Sequence, residues 1–401
     1  MSIATTTPEQ HGSQAHSDGG WDQKGYVPVQ SRSERFASTV HDEFPAVTGQ
    51  EVDWKQSPVS LLRPLIDGAL DGSGYDATWA EATGATQPAG ATVEWIPRDD
   101  ARIGSAGIPE DRAAANAWST FERALSITID GEDRVGLAIE RSGFGSPARG
   151  AHTVITAKKR STGHVVVRST GPAQLVENVE IVLEDGADLT VVWLQEWQDD
   201  AIHLASHFAQ VGRDATLTHI VVTLGGHVVR VNPTVHLSGE GAAGDLYGLY
   251  FADAGQHLEH RVYLHHQAAN TKGRVNYKGA LHGDGARTVW VGDVLIGREA
   301  AGTDSYEQNR NLVLSEGTRA DSIPNLEIET GDILGAGHAS ATGRFDDEQL
   351  FYLQSRGITE PEARRLVVIG FLSEIVQKIG DPALEARLHG AIETELAGGT
   401  A

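Results

Sequence analysis

Short apolar runs separated by polar corners fill the middle of the chain, from residue 125 to about 343. The runs are rich in Val, Ile, Thr, Tyr and Trp, which suit a pleated, partly buried surface, so they predict β-strands. The predicted strands are 125–129, 152–155, 164–168, 179–183, 189–194, 216–222, 228–237, 246–252, 260–264, 274–281, 288–296 and 308–314. Little helical periodicity lies between them, so this region is predicted to be mainly β.

The polar corners between the runs look like variants of one unit. Residues 184–188, 212–216, 282–286 and 315–319 each place glycine among polar residues beside an apolar strand. Where the unit is clearest it recurs roughly every 25–30 residues, the range of solenoid rungs. A sandwich, a barrel or a solenoid would fit such a series. Because polar–apolar alternation is weak and the run 189–194 is apolar on both faces, we favour a right-handed parallel β-helix over 125–343.

The two flanks of this region differ from it in composition. Residues 1–35 are polar and poor in large apolar side chains, which predicts a flexible tail. Residues 36–124 are interrupted by prolines and predict a mixed, mostly helical region with short helices. Residues 344–401 predict a C-terminal helical domain.

Three helix signals support the C-terminal prediction. The acidic segment 346–349 opens a first helix, and Gly357 ends it. Thr359 and Glu362 have the spacing of a capping box for a second helix, and Asp381 followed by Pro382 starts a third.

Composition narrows the classes of function. The 401 residues carry a formal net charge of −23, which disfavours nucleic acid and anionic membrane surfaces as partners. Cysteine is absent, which excludes disulfides and any four-cysteine metal or Fe–S site held by this chain alone. The first twenty residues do not resemble a secretory signal, and no apolar run reaches about 18 residues, so we expect a cytoplasmic protein.

Candidate chemistry is sparse. Residues 297–303 have the glycine spacing of a phosphate-binding loop, but they lack its lysine, which argues against a nucleotide site. Histidines 203 and 207, 257 and 260, and 265 and 266 are close enough in sequence to form metal pairs. The alternative, that these imidazoles are ordinary surface or half-buried solenoid residues, is favoured.

One histidine stands apart. His338 lies between Gly337 and Ala339, so its ring is sterically open at the end of the predicted strand region. A β-helical carbohydrate-active enzyme, a lyase or a hydrolase, is the alternative class, and it would need clustered acids. The candidate acids are Asp245, Asp253, Asp293 and Asp304.

Four motifs follow one another in the last third of the chain, at residues 303–315, 324–328, 337–340 and 350–357. In this order and at this spacing, the series resembles the C-terminal core of the SufB/SufD family of iron–sulfur cluster assembly proteins. The resemblance runs from about residue 262 to 379 and extends more faintly to residues 53–55. Residues 303–315 and 350–357, together with the absence of cysteine, make the chain more similar to SufD than to SufB.

The resemblance implies a scaffold without catalytic activity, paired with a SufB-like paralogue and a SufC-like ABC-type ATPase. A homodimer of the isolated chain is compatible with it. A transient Fe–S cluster or iron would lie at the interface between the paralogues, with none bound tightly by this chain alone. The family's interface histidine falls on His338, a candidate iron ligand, while Ala336 replaces a cysteine found in some relatives. Candidate ATPase contacts in the C-terminal helices are Phe351, Tyr352, Arg356 and Phe371.

Overall fold

A parallel β-solenoid of about eight turns dominates the computed structural model, which describes residues 35–81, 88–344 and 347–398. Each turn contributes one strand to each of two nine-stranded sheets. Sheet I contains, in spatial order, β1 (Asp76–Glu81), β4 (Val135–Ser142), β6 (Thr162–Gly171), β8 (Asp188–Trp197), β10 (Thr216–Leu224), β12 (Ala243–Ala252), β14 (Lys272–Leu281), β16 (Thr303–Val313) and β18 (Ile333–Arg344). Sheet II contains β2 (Ala91–Pro97), β3 (Arg123–Ile129), β5 (Gly145–Ala157), β7 (Ala173–Leu183), β9 (Ile202–Val211), β11 (Val228–Leu237), β13 (His257–His266), β15 (Arg287–Ile296) and β17 (Arg319–Ile328).

Neighbouring strands are parallel, apart from the antiparallel pairs β1/β4 and β2/β3 at one end. Asp188 pairs with Thr216, and Thr216 pairs with Ala243, a step of about 28 residues per turn. The prediction of a mainly β, parallel β-helical fold is therefore confirmed.

Glycine is required at some of the corners. Gly317 has φ +77°, and a Cβ there would lie 2.2 Å from the Asp284 carboxylate of the preceding corner. Gly302 has φ +71° and stacks in the same way over Asn270. Successive corners stack closely enough that a side chain at these positions would clash, which explains the repeated glycine-containing unit.

Side chains that point between the sheets fill the solenoid. Most are aliphatic or aromatic, and they form one continuous core that includes Leu137, Val191, Leu246 and Trp290. Because strands in successive turns are in register, equivalent positions stack into columns along the solenoid axis. We call this enclosed space the lumen.

Separate layers cover the outer faces of the two sheets. Helices α1 (Val59–Ile66) and α2 (Arg112–Thr120) and the side chain of Trp54 pack on sheet II. Helix α4 (Glu360–Val376) packs on β12 and β14 of sheet I, and α3 (Asp347–Ser355) and α5 (Pro382–Gly398) pack against α4. No helix in the described part of the chain is long and apolar enough to span a membrane.

The flanks differ in part from expectation. The described residues of the region 36–124 form two α-helices and the 3₁₀ turn His41–Glu43, but they also supply β1 and β2 to the solenoid, so the region is mixed, as predicted, rather than mostly helical. Thr359 is the N-cap residue of α4, yet its side chain makes no capping hydrogen bond. The predicted tail 1–35 lies almost entirely outside the described residues, as do residues 345 and 346.

Candidate functional site at the open end of the solenoid

The last turn of the solenoid is open. Strands β17 and β18 end their sheets, and neither has a strand on its outer side within the described ranges. Most residues of β17 are only half-buried and seven of the twelve in β18 are exposed, whereas β15, the strand next to β17, is almost entirely buried. The lumen is therefore accessible at this end, which we call the open end.

His338 lies on β18 at the open end. Its side chain points into the lumen, in the column formed by Leu137, Val165, Val191, His219, Leu246, Val275 and Glu307. Because no further turn covers it, 45% of the side chain is exposed. The sequence predicted His338 at the end of the strand region, and the residue lies on β18, the last described strand of sheet I; its role there stays a prediction.

The carboxylate of Glu307 lies close to His338, one turn earlier in the same column. The Nδ1 atom of His338 lies 3.6 Å from Oε1 of Glu307, whose side chain is fully buried. Across the lumen, Gly292 on β15 leaves room for this carboxylate, because a Cβ there would lie 2.2 Å from Oε2. Glu307 was not identified from the sequence.

A network of polar side chains lies beside this pair in the last turns. Asn309 donates to the hydroxyl of Tyr250 (2.8 Å), and that hydroxyl donates to Oδ1 of Asn311 (2.8 Å). The hydroxyl of Ser322 on β17 donates to Oδ1 of Asn309 at 2.7 Å. Burial raises the pKa of Tyr250, so its phenol stays protonated. Positions 307, 309 and 311 alternate along β16, a signal that they share one face of a strand.

The other candidate histidines lie elsewhere and are held by other side chains. His203 bonds to Gln195 and Glu177, at 2.7 and 2.8 Å, and His207 contacts His219 at 2.9 Å. His260 bonds to Thr223, and burial lowers the pKa of His260 to about 3. No three metal-ligating side chains in the described ranges are grouped to hold an ion.

Further histidines follow the same pattern. His257 lies 3.3 Å from Glu259, and His266 bonds to Thr271 and Ser305. Burial lowers the pKa of the outward-facing His265 to about 4. Residues 297–303 form a corner between β15 and β16 rather than the start of a helix, unlike a phosphate-binding loop.

The four candidate acids of the alternative enzyme do not converge. Asp245 and Asp304 lie on sheet I, where Asp304 pairs with Arg274. Asp293 lies on sheet II, and Asp253 lies in a corner next to His282. This separation does not provide the paired carboxylates that a glycosidase needs.

The candidate ATPase contacts are divided between two helices. Phe351 and Tyr352 on α3 are 71% and 55% exposed, and the guanidinium of Arg356 lies 4.9 Å from the Tyr352 ring centre. Phe371, on α4, is half-buried, with the ammonium of Lys278 4.6 Å from its ring centre. The first three share an exposed surface, the α3 surface, and Phe371 belongs to the layer that covers sheet I.

The fold and the site define a class of protein: a parallel β-solenoid with helical layers on its outer faces and a histidine–carboxylate pair at an open end. Residues 142–371 match the family model described as "SUF system FeS cluster assembly, SufBD core domain". The chain therefore belongs to the SufBD family of iron–sulfur cluster assembly proteins.

Curated relatives agree with this assignment. The chain is 47% identical over 376 residues to an iron–sulfur cluster assembly SufBD family protein of Mycobacterium bovis, covering 91% of this chain and 93% of that protein. A protein of the same description from Mycobacterium leprae is 49% identical over 371 residues, covering 90% of this chain and 93% of that protein. A second M. leprae SufBD family protein is 31% identical over 252 residues, which cover 61% of this chain and 28% of that protein.

Proposed function

We propose that this chain is a SufD-type scaffold subunit, without catalytic activity of its own, in an iron–sulfur cluster assembly complex. The observation that carries the proposal is the open end of the solenoid, where His338 is exposed on the terminal strand beside a buried carboxylate. The SufD assignment is supported by the absence of cysteine in this chain. The two M. leprae family members support a pair of different paralogues, because this chain covers 93% of one of them and 28% of the other.

The first proposed partner is a SufB-like paralogue that covers the open end. Terminal strands offer backbone groups for pairing with another chain, and they are a common site of strand addition. Leu334 on β18 and Ile328 at the end of β17 are 79% and 44% exposed, so apolar area is available there. The same edge could pair two copies of this chain when the paralogue is absent.

The cargo of this interface is iron or a nascent Fe–S cluster, with His338 as a ligand from this chain. A neutral imidazole is a borderline donor that suits iron, and the irons of a cluster are otherwise bridged by sulfide and held by soft protein donors such as thiolates. This chain has no cysteine, so those donors would come from the partner. A cluster site shared between two chains follows from this division of ligands.

The second proposed partner is a SufC-like ABC-type ATPase, bound at the α3 surface. Phe351 and Tyr352 are large aromatic side chains that are exposed side by side, as is typical of an interaction surface. Arg356 supplies a cation beside them. Phe371 would act indirectly, by holding α4 against the solenoid.

Co-expression tests the proposal. The chain is produced with the SufB-like paralogue and the ABC-type ATPase of the same organism, and with each alone. We expect a complex of all three that forms a coloured, iron-containing species when loaded with iron and sulfide without oxygen. A chain that stays separate from both partners, or a three-component complex that takes up no iron, would contradict the proposal.

A further inference from the structure

Glu307 occupies a position that is apolar in most other turns of the solenoid. Along the parallel strands β4 to β18, its column contains Leu137, Val165, Val191, Leu246 and Val275, all within the aliphatic core, together with His219 and His338. A carboxylate in such a column is costly to bury unless it interacts with polar groups. This carboxylate, Glu307, lies in the turn that directly precedes His338.

The lumen is shaped around this carboxylate. Glu307 is fully buried, and Gly292 on the opposite sheet stands where any side chain would collide with Oε2. The carboxylate is thereby held under the imidazole of His338, with Oε1 3.6 Å from Nδ1. Of the two ring nitrogens, Nδ1 is the one that faces Glu307.

A second histidine–glutamate pair in the chain shows what a purely structural pair looks like. Nε2 of His152 lies 2.8 Å from Oε1 of Glu180, and both side chains are fully buried. The Glu180 carboxylate also accepts hydrogen bonds from the backbone N–H groups of Gly104 and Ala106. That pair joins two layers of the fold, whereas the side chain of His338 is 45% exposed and no described strand follows β18 in its sheet.

We infer that Glu307 is a positioning residue for His338: its carboxylate holds the neutral imidazole with the proton on Nδ1, so that the lone pair of Nε2 is directed to the partner. Histidines that bind metals usually donate their other N–H to a carboxylate or carbonyl, which fixes the tautomer and raises the basicity of the ligating nitrogen. The distance must shorten to about 2.8 Å, a movement of under about 1 Å, which a terminal strand can accommodate.

The inference rests on the proposed function for its purpose, but it can be tested without iron. The full chain is labelled with ¹⁵N-histidine, and the ring tautomer of the neutral form is read from ¹H–¹⁵N correlations at about pH 8.5. The His338 signals are assigned by their loss in His338→Ala. We expect the proton on Nδ1 in the wild type, although free histidine favours Nε2.

Glu307→Gln is the informative variant. It keeps the side-chain shape but replaces one carboxylate oxygen with an NH₂ group, which can turn toward Nδ1, so we expect the His338 proton to move to Nε2. Glu180→Gln is the matched control, and it should leave the His338 signals unchanged. A wild-type His338 with its proton on Nε2 would overturn the inference, even if Glu307→Gln failed to fold. A proton that stays on Nδ1 in a folded Glu307→Gln chain would also overturn it.

The complex supplies a second, separable readout. Glu307→Gln should still co-purify with both partners but should bind iron about 10–100-fold more weakly, the usual cost of losing such a carboxylate. If the tautomer responds as expected while His338→Ala leaves iron binding unchanged, the proposed cluster site fails and the positioning role of Glu307 stands. If iron binding needs His338 but not Glu307, the positioning role fails alone.

Discussion

Two histidine–carboxylate contacts in the lumen differ mainly in whether further turns of the solenoid enclose them. In the early turns, Glu177 binds Arg141 at 2.7 Å and His203 at 2.8 Å, and all three side chains are fully buried. At the open end, Glu307 contacts a histidine that is 45% exposed. The same pair of chemical groups is enclosed within the fold in one place and left accessible in the other. Accessibility, more than residue type, separates a structural contact from a candidate site.

Breaking the enclosed contact should have the largest effect. The guanidinium of Arg141 and a hydrogen bond from His203 hold the pKa of Glu177 well below its usual range, so the carboxylate is charged. Arg141→Ala would leave that charge buried without its cation. We expect the free energy of unfolding to fall by about 3–5 kcal/mol, measured by chemical denaturation. The double variant Arg141→Met with Glu177→Gln should recover most of this stability. A loss of less than about 1 kcal/mol in Arg141→Ala would contradict the expected difference between the enclosed and the exposed contact.

The enclosed histidines should also make stability depend on pH. Burial lowers the pKa of His219 to about 4 and the pKa values of His260 and His266 to about 3. Below about pH 6.5 these histidines bind protons in the unfolded chain but not in the folded chain. Their contribution to the free energy of unfolding is therefore complete above that pH and is lost as the pH falls. Each of these histidines should lower the free energy of unfolding by about 1.4 kcal/mol as the pH falls from about 7.5 to about 5.5.

A matched pair of variants sharpens the pH prediction. His260→Phe keeps a ring stacked on Tyr250, whose ring centre lies 4.8 Å away, and should remove about one histidine's share of the pH dependence. Tyr250→Phe should leave the pH dependence as it is, because burial raises the pKa of Tyr250 and its phenol stays protonated over this pH range. If both variants changed the pH dependence of the free energy of unfolding equally, the assignment of this dependence to the buried histidines would be wrong.

The smallest effects on stability are expected at the exposed surfaces. Phe351→Ser on α3 and Leu334→Asp on β18 change exposed side chains, so each should alter the free energy of unfolding by no more than about 0.5 kcal/mol. Their effects on assembly should differ: Phe351→Ser should weaken retention of the ATPase, and Leu334→Asp should weaken retention of the paralogue. Pull-down assays with each partner measure this, and loss of both partners in either variant would not fit two separate surfaces.

The fold could be predicted where side-chain patterns were simple. Apolar strands and glycine-containing corners were identified, but β9 was missed because His203 and His207 look polar in sequence. Both are buried by contacts with side chains from other turns. Strand β18 was missed as well, since its small residues have low strand propensity and it forms by pairing with β16.

The site was predicted only in part for a related reason. His338 was found through small neighbours and a family resemblance, whereas the predicted strand 308–314 began one residue after Glu307. The alternation of Glu307, Asn309 and Asn311 fits an inward face, but polar residues on alternate positions ordinarily indicate an outward one. Which face is inward depends on contacts across the lumen, such as that with Gly292, which one sequence does not reveal.

The central claim is that the open end of the solenoid, through His338, holds iron or a nascent cluster between this chain and its paralogue. The most direct test is anaerobic loading of the three-component complex with iron and sulfide, comparing wild type with His338→Ala by visible absorption and iron content per complex. We expect the variant to keep its melting temperature and both partners but to lose most of the cluster absorption. Wild-type absorption and iron content in the intact His338→Ala complex would contradict the claim.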